Sequence, residues 1–168
     1  MSAVVLHRKL HHKTPGWVPA GERYHIRLRI EGAQRPLTDS GLAPHLLDSA
    51  VLYHDRRRWH AWVFLLMPDH LHAVMSFSPD VSMSRVVGDW KHYQKRQHGI
   101  VWQEGYFDHR LRNAEQAVVK CHYIRMNPVR RGLCKVPEEW PWVVEPWRRD
   151  FRDGSAGGGV IHPRSLGV

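Results

Sequence analysis

Acidic residues are scarce in this chain and cysteines scarcer. Of 168 residues, 16 are Asp or Glu against 25 Lys or Arg, a formal charge of +9. Such an excess draws a small domain to polyanions, most commonly nucleic acid, because every phosphate it neutralises releases counterions. An anionic membrane surface is the competing partner. However, no apolar run reaches the about 18 residues of a membrane helix, and neither terminus reads as a basic amphipathic helix. Nucleic acid is therefore preferred. The two cysteines, Cys121 and Cys134, have no metal-type spacing and do not form a secreted disulfide framework, which fits a reducing compartment. The stretch MSAVVLHRKLHHK has too short an apolar core for a secretory signal, so a cytoplasmic location is expected. No internal repeat is visible.

The length fits one domain with a real core. Residues 1–19 read as an irregular arm, broken by Pro15, Gly16 and Pro19, in which His7, His11 and His12 form a loose, solvated cluster. From about 150 onward, Gly154-Ser-Ala-Gly-Gly-Gly159 marks a tail expected to be disordered. Between them lies a single domain, 20–149. Tyr24-His-Ile-Arg-Leu-Arg-Ile30 alternates apolar with basic residues, as a half-buried strand does, and its polar face carries His25, Arg27 and Arg29. Helical spacing predicts a helix over 44–55. A strand over 59–67 and another over 70–77, with the Pro68-Asp69 turn between them, read as a hairpin.

Ser82 or Ser84 can cap a helix running to about 97, with Met83, Val86, Val87, Trp90 and Gln94 on one face. Its other face carries Lys91, Lys95 and Arg96 around Tyr93, either a solvated surface or a platform for single strands. The segment 100–108 reads as a strand broken at Gly105. Asn113 and Gln116 then form a capping-box-like pair for a last helix, expected to end at Met126 or Asn127 because Pro128 disfavours helix before it. Strands and helices thus intermix around an antiparallel pair. The expected fold is α+β, with helices packed on an antiparallel sheet in a split βαβ arrangement.

Candidate chemistry begins at Met67-Pro-Asp-His-Leu-His-Ala-Val74. Strand side chains alternate, so His70 and His72 share a face, about 6 to 7 Å apart at Cα, near enough to converge on one cation. They could equally be two half-exposed strand histidines, and two ligands do not close a metal site. Asp69 is placed to orient one of them. On the last helix Ala114, Ala117, Val118, Cys121 and Ile124 form an apolar stripe, and Tyr123 falls roughly 140° from its centre. Gln116, Lys120 and Asn127 share its side, with Asn127 one turn beyond the tyrosine. Tyr123 is either a contact residue or a nucleophile. From Arg110 to Arg131 there are six Arg or Lys and one Glu, a composition suited to phosphate, with His109, Arg110, Arg112, Lys120 and Arg130 as candidate contacts. Cation, phosphate and hydroxyl together suit a phosphodiester transfer in which tyrosine becomes covalently joined to DNA.

These residues resemble the REP-associated tyrosine transposases, in the His-hydrophobic-His superfamily of single-strand nucleases (the HUH motif). The likeness rests on His70-Leu-His72 after Met-Pro-Asp, on Trp102-Gln103, and on Tyr123-Ile-Arg-Met-Asn-Pro-Val-Arg-Arg-Gly-Leu133 followed by Pro137-Glu-Glu-Trp-Pro-Trp142. It covers about residues 20–145. Where members usually carry a small serine pair after Trp-Pro-Trp, this chain has Val143-Val144. The resemblance implies a ferredoxin-like (RRM-like) α+β domain in a bacterial, DNA-associated protein, a monomer or homodimer. It implies binding of single-stranded DNA beside a hairpin and cleavage with Mg²⁺ or Mn²⁺. Tyr123 would form a 5′-phosphotyrosine, and His70, His72 and Asn127 would hold the cation, although Asn127 before proline is equally a helix terminator. Two other readings stand beside it: a domesticated protein that binds hairpin repeats without cutting, and a zinc hydrolase, which needs another strong ligand.

Overall fold

A computed structural model of the chain describes residues 22–148. The expected arm (1–19, with His7, His11 and His12) and tail (150–168) lie outside the described residues. The elements run β1 (Arg23–Arg29), α1 (Ala43–Asp55), β2 (His60–Leu66), β3 (His70–Ser76), α2 (Met83–His98), β4 (Phe107–Leu111), α3 (Ala114–Arg130) and β5 (Val143–Val144). The sheet order is β4-β1-β3-β2-β5, and every pairing is antiparallel. The first four strands with α1 and α2 are the βαββαβ ferredoxin-like unit anticipated from sequence. To it the chain adds α3 and the short edge strand made by the Val143-Val144 departure.

Alternation gives the sheet two buried faces. Ile26, Leu28, Phe64, Leu66, Leu71, Ala73 and Met75 point to the core shared with α1 and α2. Val63, Leu65 and Val74 point the other way, into a second core completed by Leu111 and by Ala117 and Ile124 of α3. The second core is why β3 is buried at every position, where the alternating pattern alone leaves one face half-exposed. Between Ala61 and Val63 the β2–β3 register shifts. The extra residue, Trp62, joins the second core, as a bulge allows.

Local signals explain the helix ends. Ser82 caps α2 by accepting the Arg85 N–H, and Gly99 closes it at φ 70°, a left-handed conformation favoured by glycine. Asn113 accepts the Gln116 N–H at 2.8 Å, while the Gln116 side chain accepts from the Arg112 N–H rather than from the cap itself. Two predicted boundaries move. Residues 100–106 contribute only an isolated Trp102 bridge to Ile30, and the strand begins after Gly105 (φ 67°) at Phe107. α3 runs through Pro128 to Arg130. Proline forfeits only its own donor there, while the Arg131 N–H still reaches the Asn127 carbonyl at 3.0 Å, so the final turn survives.

Candidate active site

The register of β1 against β3 builds the site. Arg27 sits opposite His72 and Arg29 opposite His70, so the cationic side of β1 and the two histidines share a face, the one α3 covers. Both imidazoles are buried, His70 at 3% and His72 at 6% exposure, which corrects the half-exposed reading. The His70 Nδ1 lies 2.6 Å from the Asp69 carboxylate, and Asp69 also pairs with Arg29 at 3.3 Å. The His70 Nδ1 therefore carries the proton that Asp69 accepts, and its Nε2 is a free lone pair. That Nε2 faces the His72 Nε2 at 3.1 Å, with the two rings nearly perpendicular at 84°. On the other side of His72, Nδ1 lies 3.0 Å from the Nε2 of His25.

Burial keeps these imidazoles neutral. His72 is pushed down to about 3, chiefly by desolvation and then by its neighbours His70, His25, Arg27 and Lys120. Desolvation likewise lowers His25 to about 4, with Lys120 the next cause. His70 is also lowered by desolvation, against the opposing pull of Asp69. For Asp69, burial works to raise the carboxyl, but its hydrogen bond to His70 and the charges of His70 and Arg29 outweigh this and hold it low. Neutral imidazole is the form that ligates metal.

At 100° per residue, Lys120, Ile124, Asn127 and Arg131 fall within about 60° of one another around the axis of α3, and Tyr123 lies about 40° from Asn127. Ile124 is fully buried beneath the helix. The charge of Lys120 acts on His25 and His72, and that of Arg131 on His70. The helix therefore spans the histidines, with Tyr123 and Asn127 between the two cations. Tyr123 remains 41% exposed, its ring flanked by the Lys120 ammonium at 4.9 Å and the Arg130 guanidinium at 4.3 Å. Asn127 is buried, at 9% exposure, a correction to its expected place on the outer face. The segment after α3 folds back along its C-terminal half, where the Trp140 indole donates to the Leu66 carbonyl at 3.0 Å. Ala114, assigned to the apolar stripe, is exposed instead.

Two features fit a divalent cation. The two Nε2 atoms stand 3.1 Å apart, and cis ligands of an octahedron with bonds of about 2.1 Å are about 3.0 Å apart. The Asn127 amide nitrogen is buried without a hydrogen-bond partner. A half-turn of that amide presents a hard oxygen in its place. Among the described residues no group of three His, Cys, Asp or Glu gathers as a metal site, so an amide or a substrate oxygen would have to complete the shell.

Other predicted residues divide by location. His109, Arg110 and Arg112 line an open concavity of about 480 Å³, and Arg110 pairs with Glu22 at 3.7 Å. Arg27 and Arg29 line another of about 380 Å³ with Gln103, Tyr106 and Phe107. Lys95 and Arg96 lie exposed on α2, across the sheet from the histidines. Lys91, offered as a strand contact, instead holds the Gln103 and Gly105 carbonyls, each at 2.8 Å. Sequence reasoning passed over Phe107, 45% exposed under Arg27 at 5.2 Å, because its strand was set too early. It also left His25 out of the site, since only the pairing of β1 with β3 puts that ring on His72.

No family model matches the chain. Over 120 residues it is 28% identical to a REP-associated tyrosine transposase of Escherichia coli (strain K12), across 61% of this chain and 69% of that protein. The solved structure of a REP-associated tyrosine transposase bound to a REP hairpin overlays with a TM-score of 0.65 at 20% identity, covering 94% of this chain and 97% of that one. In sequence, then, this chain is similar to a REP-associated tyrosine transposase, and it shares the fold of another.

Proposed function

We propose that this protein nicks and rejoins single-stranded DNA by transesterification through Tyr123, beside a hairpin-forming repeat. The observation that carries the reading is that α3 bears Tyr123 across the same sheet face as His70 and His72, between Lys120 and Arg131. The Tyr123 oxygen attacks phosphorus, a phosphotyrosine bond forms to the 5′-phosphate of the downstream strand, and the P–O3′ bond to the upstream strand opens. The tyrosine proton leaves, and the departing oxygen takes one up as a 3′-hydroxyl. Rejoining is the reverse attack by a 3′-hydroxyl, and the bond energy is kept in between.

His70, His72 and Asn127 would hold Mg²⁺ or Mn²⁺. When bound, such a cation supplies charge that polarises the phosphoryl oxygens. The chain's own residues do the rest. Asp69 fixes the tautomer of His70, Lys120 and Arg130 flank the phenol and draw in phosphate, and Arg27 and Arg29 offer further positive charge on the histidine face. Hairpin recognition is supported by the relative whose structure holds a REP hairpin.

Incubation of the purified chain and Mn²⁺ with end-labelled single-stranded DNA is expected to give a protein–DNA adduct that is lost in Tyr123→Phe. The absence of three strong ligands among the described residues favours the rival, a hairpin-binding protein that no longer cuts. For that protein the DNA stays intact under every condition, a result that would sink the nicking proposal.

A further inference from the structure

Resting on the cation reading above, we propose that His25 is the positioning residue for His72, holding its ring and its tautomer as Asp69 holds those of His70. Asp69, His70, His72 and His25 form one chain of contacts, spaced 2.6, 3.1 and 3.0 Å. Asp69 accepts from the His70 Nδ1, so the His70 Nε2 has no hydrogen. The 3.1 Å contact to His72 is a hydrogen bond only if the His72 Nε2 donates. The His72 Nδ1 is then bare and must accept, and the donor facing it is the Nε2 of His25. Without a cation every bond in the row points the same way, from His25 toward Asp69.

A cation between the two Nε2 atoms needs both of them bare. His70 already complies. His72 complies only by carrying its proton on Nδ1 instead, and that N–H then needs an acceptor at 3.0 Å. His25 supplies it by carrying its own proton on Nδ1. Two neutral imidazoles change tautomer together, and no proton is gained or lost overall. The site is shaped for this role. His25 is 6% exposed, its ring meets that of His72 edge to edge with centroids 5.2 Å apart and planes 22° apart, and Phe107 closes another side edge-on at 5.6 Å. Ligand histidines characteristically donate their second N–H to an orienting acceptor, and losing that acceptor typically costs about ten- to a hundredfold in metal affinity.

The test uses the full chain and Mn²⁺ alone, followed by electron paramagnetic resonance, with His70→Ala as control. His25→Phe keeps an aromatic ring without nitrogen and is expected to weaken Mn²⁺ binding about ten- to a hundredfold. His25→Gln, whose amide oxygen can accept, should recover most of the loss. Long-range ¹H–¹⁵N spectra should show the His72 proton on Nε2 in metal-free protein and on Nδ1 in saturating Mg²⁺, a change that a merely structural His25 does not predict. If His70→Ala abolishes binding while His25→Phe binds as tightly as the parent, the role of His25 is wrong and the cation site stands. If the parent binds no Mn²⁺, or binds it regardless of His70, the cation reading falls and takes this inference with it.

Discussion

Replacing Asp69 by Ala separates ligand orientation from stability. The substitution removes the carboxylate that accepts from the His70 Nδ1 at 2.6 Å and pairs with Arg29 at 3.3 Å. It leaves the Asp69 carbonyl, which accepts the Ile30 N–H at 3.0 Å. The ion pair joins side chains that are 42% and 52% exposed, so its loss costs at most about 1 kcal/mol. Losing the half-exposed hydrogen bond adds about 1 kcal/mol. At about 2–4 °C per kcal/mol for a chain of this length, the melting temperature should fall by no more than about 8 °C. Cation affinity responds differently. Without the carboxylate the His70 ring can rotate and its Nε2 is a weaker base, so Mn²⁺ should bind about ten- to a hundredfold less tightly, or about 1.4–2.7 kcal/mol. Asp69→Asn, which can still accept but carries no charge, should fall between. Isothermal titration with Mn²⁺ beside thermal melts checks both numbers. An Asp69→Ala protein that binds Mn²⁺ within twofold of the parent would refute the assignment of His70 as an oriented ligand.

Asn127→Leu should raise stability by about 1 kcal/mol in urea unfolding, because it removes a buried amide nitrogen without a partner, while weakening Mn²⁺ binding; a stable variant with unchanged affinity removes Asn127 from the site. Ser49→Ala strips the shared acceptor of the Trp90 indole at 3.1 Å and the Gln94 amide at 2.8 Å, so a loss of about 2–4 kcal/mol is expected, and a loss below about 1 kcal/mol would contradict the network. His72 at about 3 and His25 at about 4 lie below unfolded imidazole at about 6.5, so between these values the unfolded chain binds more protons. Their stability contribution is complete above about pH 6.5 and lost as pH falls toward 3, and a urea midpoint unchanged between pH 7.5 and 5 would show this to be wrong. Lys120→Gln should lower the slope of log affinity for single-stranded DNA against log salt by about 0.7; an unchanged slope places no phosphate there.

Much of the fold was legible because the periodicities are clean: Tyr24 to Ile30 alternates, 44–55 and 83–97 repeat with helical spacing, and Pro68-Asp69 leaves a turn between two apolar runs. The histidine pair and Tyr123 were legible too, since a residue's type and parity are written in the chain. Burial was not. A single strand cannot report that a second layer covers its polar side, so His70, His72 and Asn127 looked more exposed than they are. Nor can a lysine's position on a helix announce that loop carbonyls will capture it, as Gln103 and Gly105 capture Lys91.

By itself the sequence determined which side chains are available and which face of each element they occupy, because alternation and helical pitch are properties of the local backbone. Only the tertiary structure decided that β1 pairs with β3 and that α3 lies over their shared face. Those two contacts join residues some fifty positions apart, and no local rule fixes them. They turn His25 from a strand residue into a neighbour of His72, and they bring Tyr123 to the side of the sheet where the histidines stand.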